Sequence, residues 1–201
     1  MKLTELLDQF NLNGDFLNNG YDVGGTDKNT CHSYIENFYE IEFRPYKEKE
    51  INLLEIGIET GGSLKLWKEY FINSKSIVGV DITDDKIDPK YKNIPGVSMH
   101  FDNAYNKDFS NNFDTFDIII DDGPYTLESQ LKSIEIYLPK LNKGGLFVIE
   151  DVQNQNWFDQ LIKKSEEVCK SIDNDFEYVV ESIDLRDKKN RWDDLIFLIR
   201  S

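Results

Sequence analysis

The spacing of apolar positions changes several times along this chain, and each change predicts an element. In residues 1–10, Leu3, Leu6, Leu7 and Phe10 fall near the 3.6-residue period, which predicts a short amphipathic helix docked on a core. Residues 11–28 contain Asn13-Gly14, Asn18-Asn19-Gly20 and Gly24-Gly25, turn formers that predict a loop or lid with no regular element. Tyr34, Ile35, Phe38, Tyr39 and Ile41 recur with helical spacing, so residues 31–43 read as a helix limited by Pro45.

The pattern changes at Ile51. Residues 51–58 form a strand-sized apolar run closed by Gly61-Gly62, followed by a helix over 63–71 and a strand over 76–82 that carries Asp81 near its end. Further strands are expected at 96–100, 116–121 and 145–150, with a helix over 127–138 and with Pro139 and Gly144-Gly145 marking the return. Residues 157–172 predict another helix. Residues 176–183 and 195–200 predict a final antiparallel pair joined by the charged segment 184–194. Strands alternating with helices define an α/β chain: a mostly parallel seven-stranded sheet with helices on both faces. One domain over 1–201 is expected, with 1–47 a helical lid segment and 51–201 the core.

Composition narrows the field. The 201 residues are 39% hydrophobic and 13% aromatic, ordinary for a chain able to bury its own core. Lys and Arg number 23 against 38 Asp and Glu, and the net charge of -15 excludes a long-range field that would gather nucleic acid or anionic lipid. Cys31 and Cys169 stand far apart and outside any metal-ligand spacing, so reduced thiols are expected. No apolar run is long enough for a signal peptide or a membrane span, which makes the cytoplasm the default location.

The chemistry gathers at the predicted strand ends. The first strand and its turn read Leu54-Glu55-Ile56-Gly57-Ile58-Glu59-Thr60-Gly61-Gly62-Ser63. A dinucleotide fingerprint needs a second glycine where Glu59 stands, and its carboxylate would repel a pyrophosphate, so NAD is disfavoured. Asp81 stands where a carboxylate accepts from ribose hydroxyls, and Asp102-Asn103 follows the third strand. Two more strands end in paired acids, Asp121-Asp122 and Glu150-Asp151. Neighbours in a strand face opposite ways, so one acid of each pair turns toward a ligand and the other toward a supporting contact. Converging carboxylates repel unless protonated or neutralised, and an all-oxygen set suits magnesium, calcium or manganese. Solvated strand ends or helix caps are the alternative.

The glycine-rich turn resembles motif I of class I methyltransferases, and the whole set from Gly25-Thr26-Asp27-Lys28 and His32-Ser33-Tyr34 through Asp121-Asp122-Gly123 to Glu150-Asp151 resembles the metal-dependent macrocin and mycinamicin type of sugar O-methyltransferase. The resemblance implies a Rossmann-like fold binding S-adenosylmethionine through Thr26, Lys28, Glu55, Gly57, Glu59, Gly61, Ser63, Asp81, Asp102 and Asn103. Glu55 would orient the loop or meet the ammonium end, and Gly57 and Gly61 would make room for the cofactor. It also implies Mg2+ or Mn2+ on Asp122, Glu150 and Asp151, and a sugar or nucleotide-sugar acceptor in glycan or natural-product biosynthesis. Nucleic acid and membrane are not expected partners, and a homo-oligomer stays open.

The sequence departs from the family at one position. Where the family follows Asp-Asp-Gly with a small residue and a His, a candidate base, this chain has Pro124-Tyr125. A phenol is a weak base at neutral pH, so Asp122, Tyr125 and His32 are all kept as candidates for handling the proton. Tyr21, Tyr34 and Tyr39 are candidates for the walls of a substrate lid, with core packing as their alternative. Two rival readings remain: a noncatalytic protein that keeps the S-adenosylmethionine fold, and an oxidoreductase on the same sheet. A catechol acceptor offers the same adjacent oxygens as a sugar diol.

Overall fold

A computed structural model describes residues 1–16, 22–172 and 177–201. The chain begins with α1 (Leu3–Phe10), the strand pair β1 (Asp15–Phe16) and β2 (Asp22–Val23), and a helical stretch in which a π-helical turn, Ile35–Tyr39, leads into α2 (Glu40–Glu42). The core follows as β3 (Asn52–Ile56), α3 (Gly62–Tyr70), β4 (Ser76–Asp81), β5 (Val97–Phe101), α4 (Lys107–Ser110), β6 (Phe116–Asp121), α5 (Leu127–Tyr137) and β7 (Leu141–Ile149). It closes with α6 (Phe158–Ile172), β8 (Val179–Asp184), α7 (Arg186–Lys189) and β9 (Leu195–Arg200).

The large sheet has seven strands in the order β5-β4-β3-β6-β7-β9-β8. Strands β3 to β7 pair in parallel, and β9 runs antiparallel to both β7 and β8. The predicted Rossmann-like sheet and its antiparallel C-terminal pair are therefore present. Period-two alternation sorts the strand residues to two faces. Leu53, Ile118, Ile120, Leu146, Val148, Ile196 and Leu198 bury with α1, α3 and the π-helical segment, whereas Leu54, Ile56, Ile119, Phe147, Ile149, Phe197 and Ile199 bury against α5 and α6. Strand order reverses between β3 and β6, and the crevice beyond their carboxyl ends is where open α/β sheets take ligands.

Four expectations are corrected. Residues 11–28 are not wholly irregular: β1 pairs with β2, and Asn13 bridges Thr26. Gly144-Gly145 lies inside β7 rather than before it, where the pairing with β6 shifts register. The helix predicted over 31–43 is instead the π-helical turn plus one turn of α2, with Glu40 N–H bonded back to the Ile35 carbonyl. Two short helices, α4 and α7, interrupt segments read from the sequence as connections. Tyr21 and Phe176, named above as a lid residue and as a strand start, lie outside the described residues.

Candidate active site at the carboxyl end of the sheet

The glycine-rich turn leaves β3 through Gly57, whose φ is +80°. A Cβ there would lie 2.0 Å from the Asp122 carbonyl oxygen, so the neighbouring β6 turn by itself requires glycine at a position that also lines the cleft. Gly61, φ +84°, faces Tyr91, Met99 and Ile87. Asp81 holds the same turn from β4: its Oδ2 accepts from the N–H groups of Ile58 and Glu59 at 2.9 and 3.0 Å, and its Oδ1 from Ile82 N–H at 2.7 Å. Bonding the loop is thus a duty of Asp81 that the ribose reading had not included.

Beyond this turn opens a cleft of about 770 Å³, a size suited to a nucleoside cofactor together with a small acceptor. Glu59, Asp81, Ile82, Asp102 and Asn103 line one end, and Asp27, His32, Asp122, Tyr125 and Asp151 line the other. Asp102 accepts from Asn103 N–H at 2.6 Å and both are exposed. A narrow recess beside the cleft is bounded by Thr26, Lys28, Glu59, Ser63 and Asp122. The N-terminal segment packs on the turn beside it: Gly14 N–H donates to Thr26 O, Thr60 Oγ1 donates to Gly25 O at 2.6 Å, and a Cβ on Gly62 would strike that same Gly25 oxygen at 2.1 Å.

Glu55 lies deeper than the cofactor role drawn for it, whereas Lys28 borders the recess. Glu55 is fully buried and borders neither cavity; its Oε2 accepts from Ser63 Oγ at 2.7 Å and Trp67 Nε1 at 3.1 Å. Burial lifts its carboxyl to about 7 against the opposing pull of Lys28. Lys28, 1% exposed, donates from Nζ to Asp122 Oδ2 at 2.6 Å and Glu150 Oε2 at 2.7 Å and stands 3.7 Å from Glu55 Oε1. Although burial works against its charge, the surrounding carboxylates Asp122, Glu150 and Glu55 hold the ammonium protonated.

The three acids expected to bind metal do come together around these contacts, but unequally. Asp122 and Asp151 line the cleft; Glu150 does not, and both its oxygens are engaged, Oε2 by Lys28 and Oε1 by the Tyr39 hydroxyl. Tyr34 donates to Asp151 Oδ1 at 2.5 Å. Tyr34 and Tyr39 are therefore not lid walls: both rings are wholly buried and only their hydroxyls reach the site. Burial raises the carboxyl groups of Asp122 and Glu150 and brings Asp151 to about 7, with His32 opposing the shift at Asp151. Asp121, the other member of its pair, turns away to accept from Tyr105 Oη at 2.7 Å. Asp151 and Tyr125 adopt φ of +50° and +56°, left-handed backbone of the kind that clusters at functional sites.

His32 is 3% exposed, stacked on Tyr34, and bonded through Nδ1 to Asp194 Oδ1 at 2.6 Å, with Asp27 Oδ2 3.5 Å from Nε2. Burial disfavours its charge, yet the hydrogen bond to Asp27 and the charge of Asp151 raise it to about 10. An imidazolium donates and does not accept, so this placement argues against His32 as a general base. Tyr125, 39% exposed, directs its hydroxyl to Asp122 Oδ1 at 3.3 Å, and the charge of Asp122 followed by burial pushes its phenol far up, away from use as a base.

Among the described residues, the group of three metal-capable side chains whose donor atoms all lie within 4.8 Å of one another is His32, Asp193 and Asp194, not the expected Asp122, Glu150 and Asp151. Arg191 forks onto Asp193 at 2.9 and 3.0 Å, so this cluster carries its own countercharges. Sequence reasoning missed Arg191, Asp193, Asp194 and Tyr105. The first three sit in the charged connection before β9, where no spacing rule points to a cleft. Nothing in the sequence ties Tyr105 to Asp121 or to Gly123, whose Cβ would lie 1.9 Å from the Tyr105 hydroxyl.

Sheet order, switch-point cleft and glycine turn together are those of the class I S-adenosylmethionine-dependent methyltransferase fold. Within that class the chain resembles the macrocin and mycinamicin type. It is 33% identical over 140 residues to the 8-demethyl-8-alpha-L-rhamnosyl tetracenomycin-C 2'-O-methyltransferase of Streptomyces olivaceus, covering 66% of this chain and 36% of that protein. It is 33% identical over 126 residues to the demethylmacrocin O-methyltransferase of Streptomyces fradiae, covering 59% of this chain and 32% of that one. The chain thus spans about a third of the length of the curated relatives it matches. No family model matches it. Among solved structures, the MycE methyltransferase of the mycinamycin biosynthetic pathway, in complex with Mg, SAH and mycinamycin VI, superposes with a TM-score of 0.68 at 21% identity, over 100% of this chain and 54% of that one. Spermidine synthase shares the fold at a TM-score of 0.52 and 16% identity, over 78% of this chain and 54% of that one, so the fold by itself leaves the transferred group open.

Proposed function

We propose that the chain transfers a methyl group from S-adenosylmethionine to a sugar hydroxyl, assisted by a divalent metal ion. The observation that carries the reading is the single cleft with a nucleoside-type end at Asp81, Asp102 and Asn103 and a carboxylate end at Asp122 and Asp151. The relatives support it: their names describe methylation of sugar hydroxyls on natural products, and the Mg and SAH named for MycE match the cofactors expected here. S-adenosylmethionine supplies an electrophilic methyl group. Asp81 binds ribose and Asp102 with Asn103 the adenine, while Thr26, Glu59 and Ser63 border the adjoining recess.

The carboxylate end fits a hard cation, because the donors are all oxygen and burial raises each acid in a way that a bound cation would reverse. Asp122 and Asp151 hold it from the cleft, with Glu150 behind them, and the ion supplies Lewis-acid polarisation of the acceptor hydroxyl. The chain itself orients the reactants and excludes water. Tyr125 and Arg191 border the acceptor end, and a cleft-facing carboxylate of the Asp122–Asp151 pair takes the hydroxyl proton in place of the family's His. Residues 25–28 and His32 bring the N-terminal segment to the wall of the site, which supports one domain.

The test is to incubate the protein with S-adenosylmethionine, Mg2+ or Mn2+, and a panel of glycosides and nucleotide sugars, reading by mass spectrometry the gain of one methylene unit in mass. Transfer that chelator abolishes and metal restores is expected; full activity in chelator removes the metal from the mechanism. A second reading, a noncatalytic S-adenosylmethionine-binding protein, is favoured by one observation: neither His32 nor Tyr125 is placed to act as a base. Cofactor binding with no transfer to any panel member is its signature.

A further inference from the structure

We propose that Lys28 is the resident cation of the carboxylate cluster: by taking up Glu150 and one oxygen of Asp122 it leaves Asp151 and the other Asp122 oxygen as the pair open to a divalent ion. This inference rests on the metal-assisted reading and deepens it. Its basis is geometric. The Lys28 Nζ lies 2.6 Å from Asp122 Oδ2 and 2.7 Å from Glu150 Oε2, with 1% of the residue exposed. The second oxygen of Glu150 accepts from Tyr39, so the carboxylate has no oxygen free of a protein donor. Glu150 is also the one member of the expected ligand set that does not border the cleft. Asp151, by contrast, lines the cleft with only its Oδ1 bonded to Tyr34, and Asp122 lines it with an Oδ1 that takes only the long bond from Tyr125.

A tethered ammonium and a divalent ion compete for the same lone pairs and repel one another at short range. Lys28 is therefore a positioning residue with two effects. It fixes Asp122 and Glu150 when no ion is bound, and it keeps the affinity for the ion modest by removing one ligand and adding a like charge. Glu55 Oε1, buried, 3.7 Å from Nζ and without a hydrogen-bond partner, adds to the negative field that holds the ammonium in place.

Mn2+ alone, titrated calorimetrically into chelator-stripped protein, tests this. In the otherwise native chain, Asp122→Asn and Asp151→Asn should weaken Mn2+ binding at least about tenfold, and Glu150→Gln should change it by less than about threefold. Lys28→Met should tighten Mn2+ at least about tenfold by releasing Glu150 and removing a like charge, and adding Glu150→Gln to Lys28→Met should remove part of the gain. Thermal melts establish folding, and Lys28→Met combined with Glu55→Gln removes a charge of each sign if the single variant does not fold. A Glu150→Gln loss as large as that of Asp122→Asn, or unchanged or weaker Mn2+ binding in a folded Lys28 variant, overturns the inference while leaving the metal-assisted reading intact. Absence of Mn2+ binding in every variant and in the native chain overturns both.

Discussion

At the scale of single residues, the site is made of side chains with two duties. Asp81 borders the cofactor end and also bonds two N–H groups of the glycine turn, so Asp81→Ala should weaken S-adenosylmethionine binding by more than a ribose contact alone. Charge-assisted bonds to hydroxyls amount to roughly 1.5–3 kcal/mol. Titration calorimetry should therefore show at least about a tenfold loss, and unchanged affinity in a folded variant excludes the ribose role. Tyr125 makes the opposite case. Its phenol stays protonated beside Asp122, so it acts as a hydrogen-bond donor, and Tyr125→Phe should reduce turnover by less than about tenfold without altering the pH profile. A loss of about 100-fold or more, the size associated with removal of a general base, would return the proton to Tyr125.

At the scale of elements, the N-terminal segment is locked to the core by backbone contact. Gly62 opens α3 directly beneath Gly25, and an alanine there would place its Cβ 2.1 Å from the Gly25 oxygen. Gly62→Ala should push residues 24–28 outward, speed proteolysis within residues 1–30, and weaken cofactor binding while the sheet stays folded. Equal cleavage rates in the variant and the native chain would show that the segment is not held by this contact. Helix α1 is anchored differently, by apolar burial: Leu3 and Leu7 are 0% exposed. Leu7→Ala should cost about 2–5 kcal/mol, read as a shift in the urea midpoint with unchanged slope.

Across the whole molecule, the buried acids couple stability to pH. Glu55 and Asp151 lie near 7 and Asp121 near 6, against ordinary values of 4.5 for Glu55 and 3.8 for the two aspartates. His32 lies near 10 against 6.5. All four are raised on folding, so each contributes stability that is fully present below its unfolded value and is lost as pH rises through its folded one. Melting measured in chelator should therefore fall steadily from pH 5 to pH 10, on the order of 10 °C overall for a chain of this size. Mg2+ or Mn2+ should flatten the curve, because a bound cation favours the ionised carboxylates. A melting temperature that rises across this range would contradict the burial of these groups. None of the described helices is long and apolar enough to cross a membrane.

The order of the seven strands of the large sheet and of α1, α3, α5 and α6, the covering of both sheet faces and the placement of Gly57, Asp81, Asp122 and Asp151 at strand ends were legible in the chain by itself. They follow from local rules: a period of two or 3.6, a glycine where a turn needs positive φ, an acid where a strand stops. What lay outside those rules was decided by contacts between distant segments. Tyr34 and Tyr39 are five apart, and on an α-helix they would point about 140° away from each other. The wider π-helical turn brings them toward one face, where one hydroxyl meets Asp151 and the other Glu150. No periodicity in residues 31–43 announces that turn, because it is the buried carboxylates more than a hundred residues away that reward it. The same holds for Lys28 and His32. The sequence shows that each is charged or chargeable, but only the fold surrounds Lys28 with three acids and His32 with Asp27, Asp151 and Asp194, turning one into a fixed cation and the other into a donor. Protonation state depends on burial and on the sum of nearby charges, and both are properties of tertiary structure.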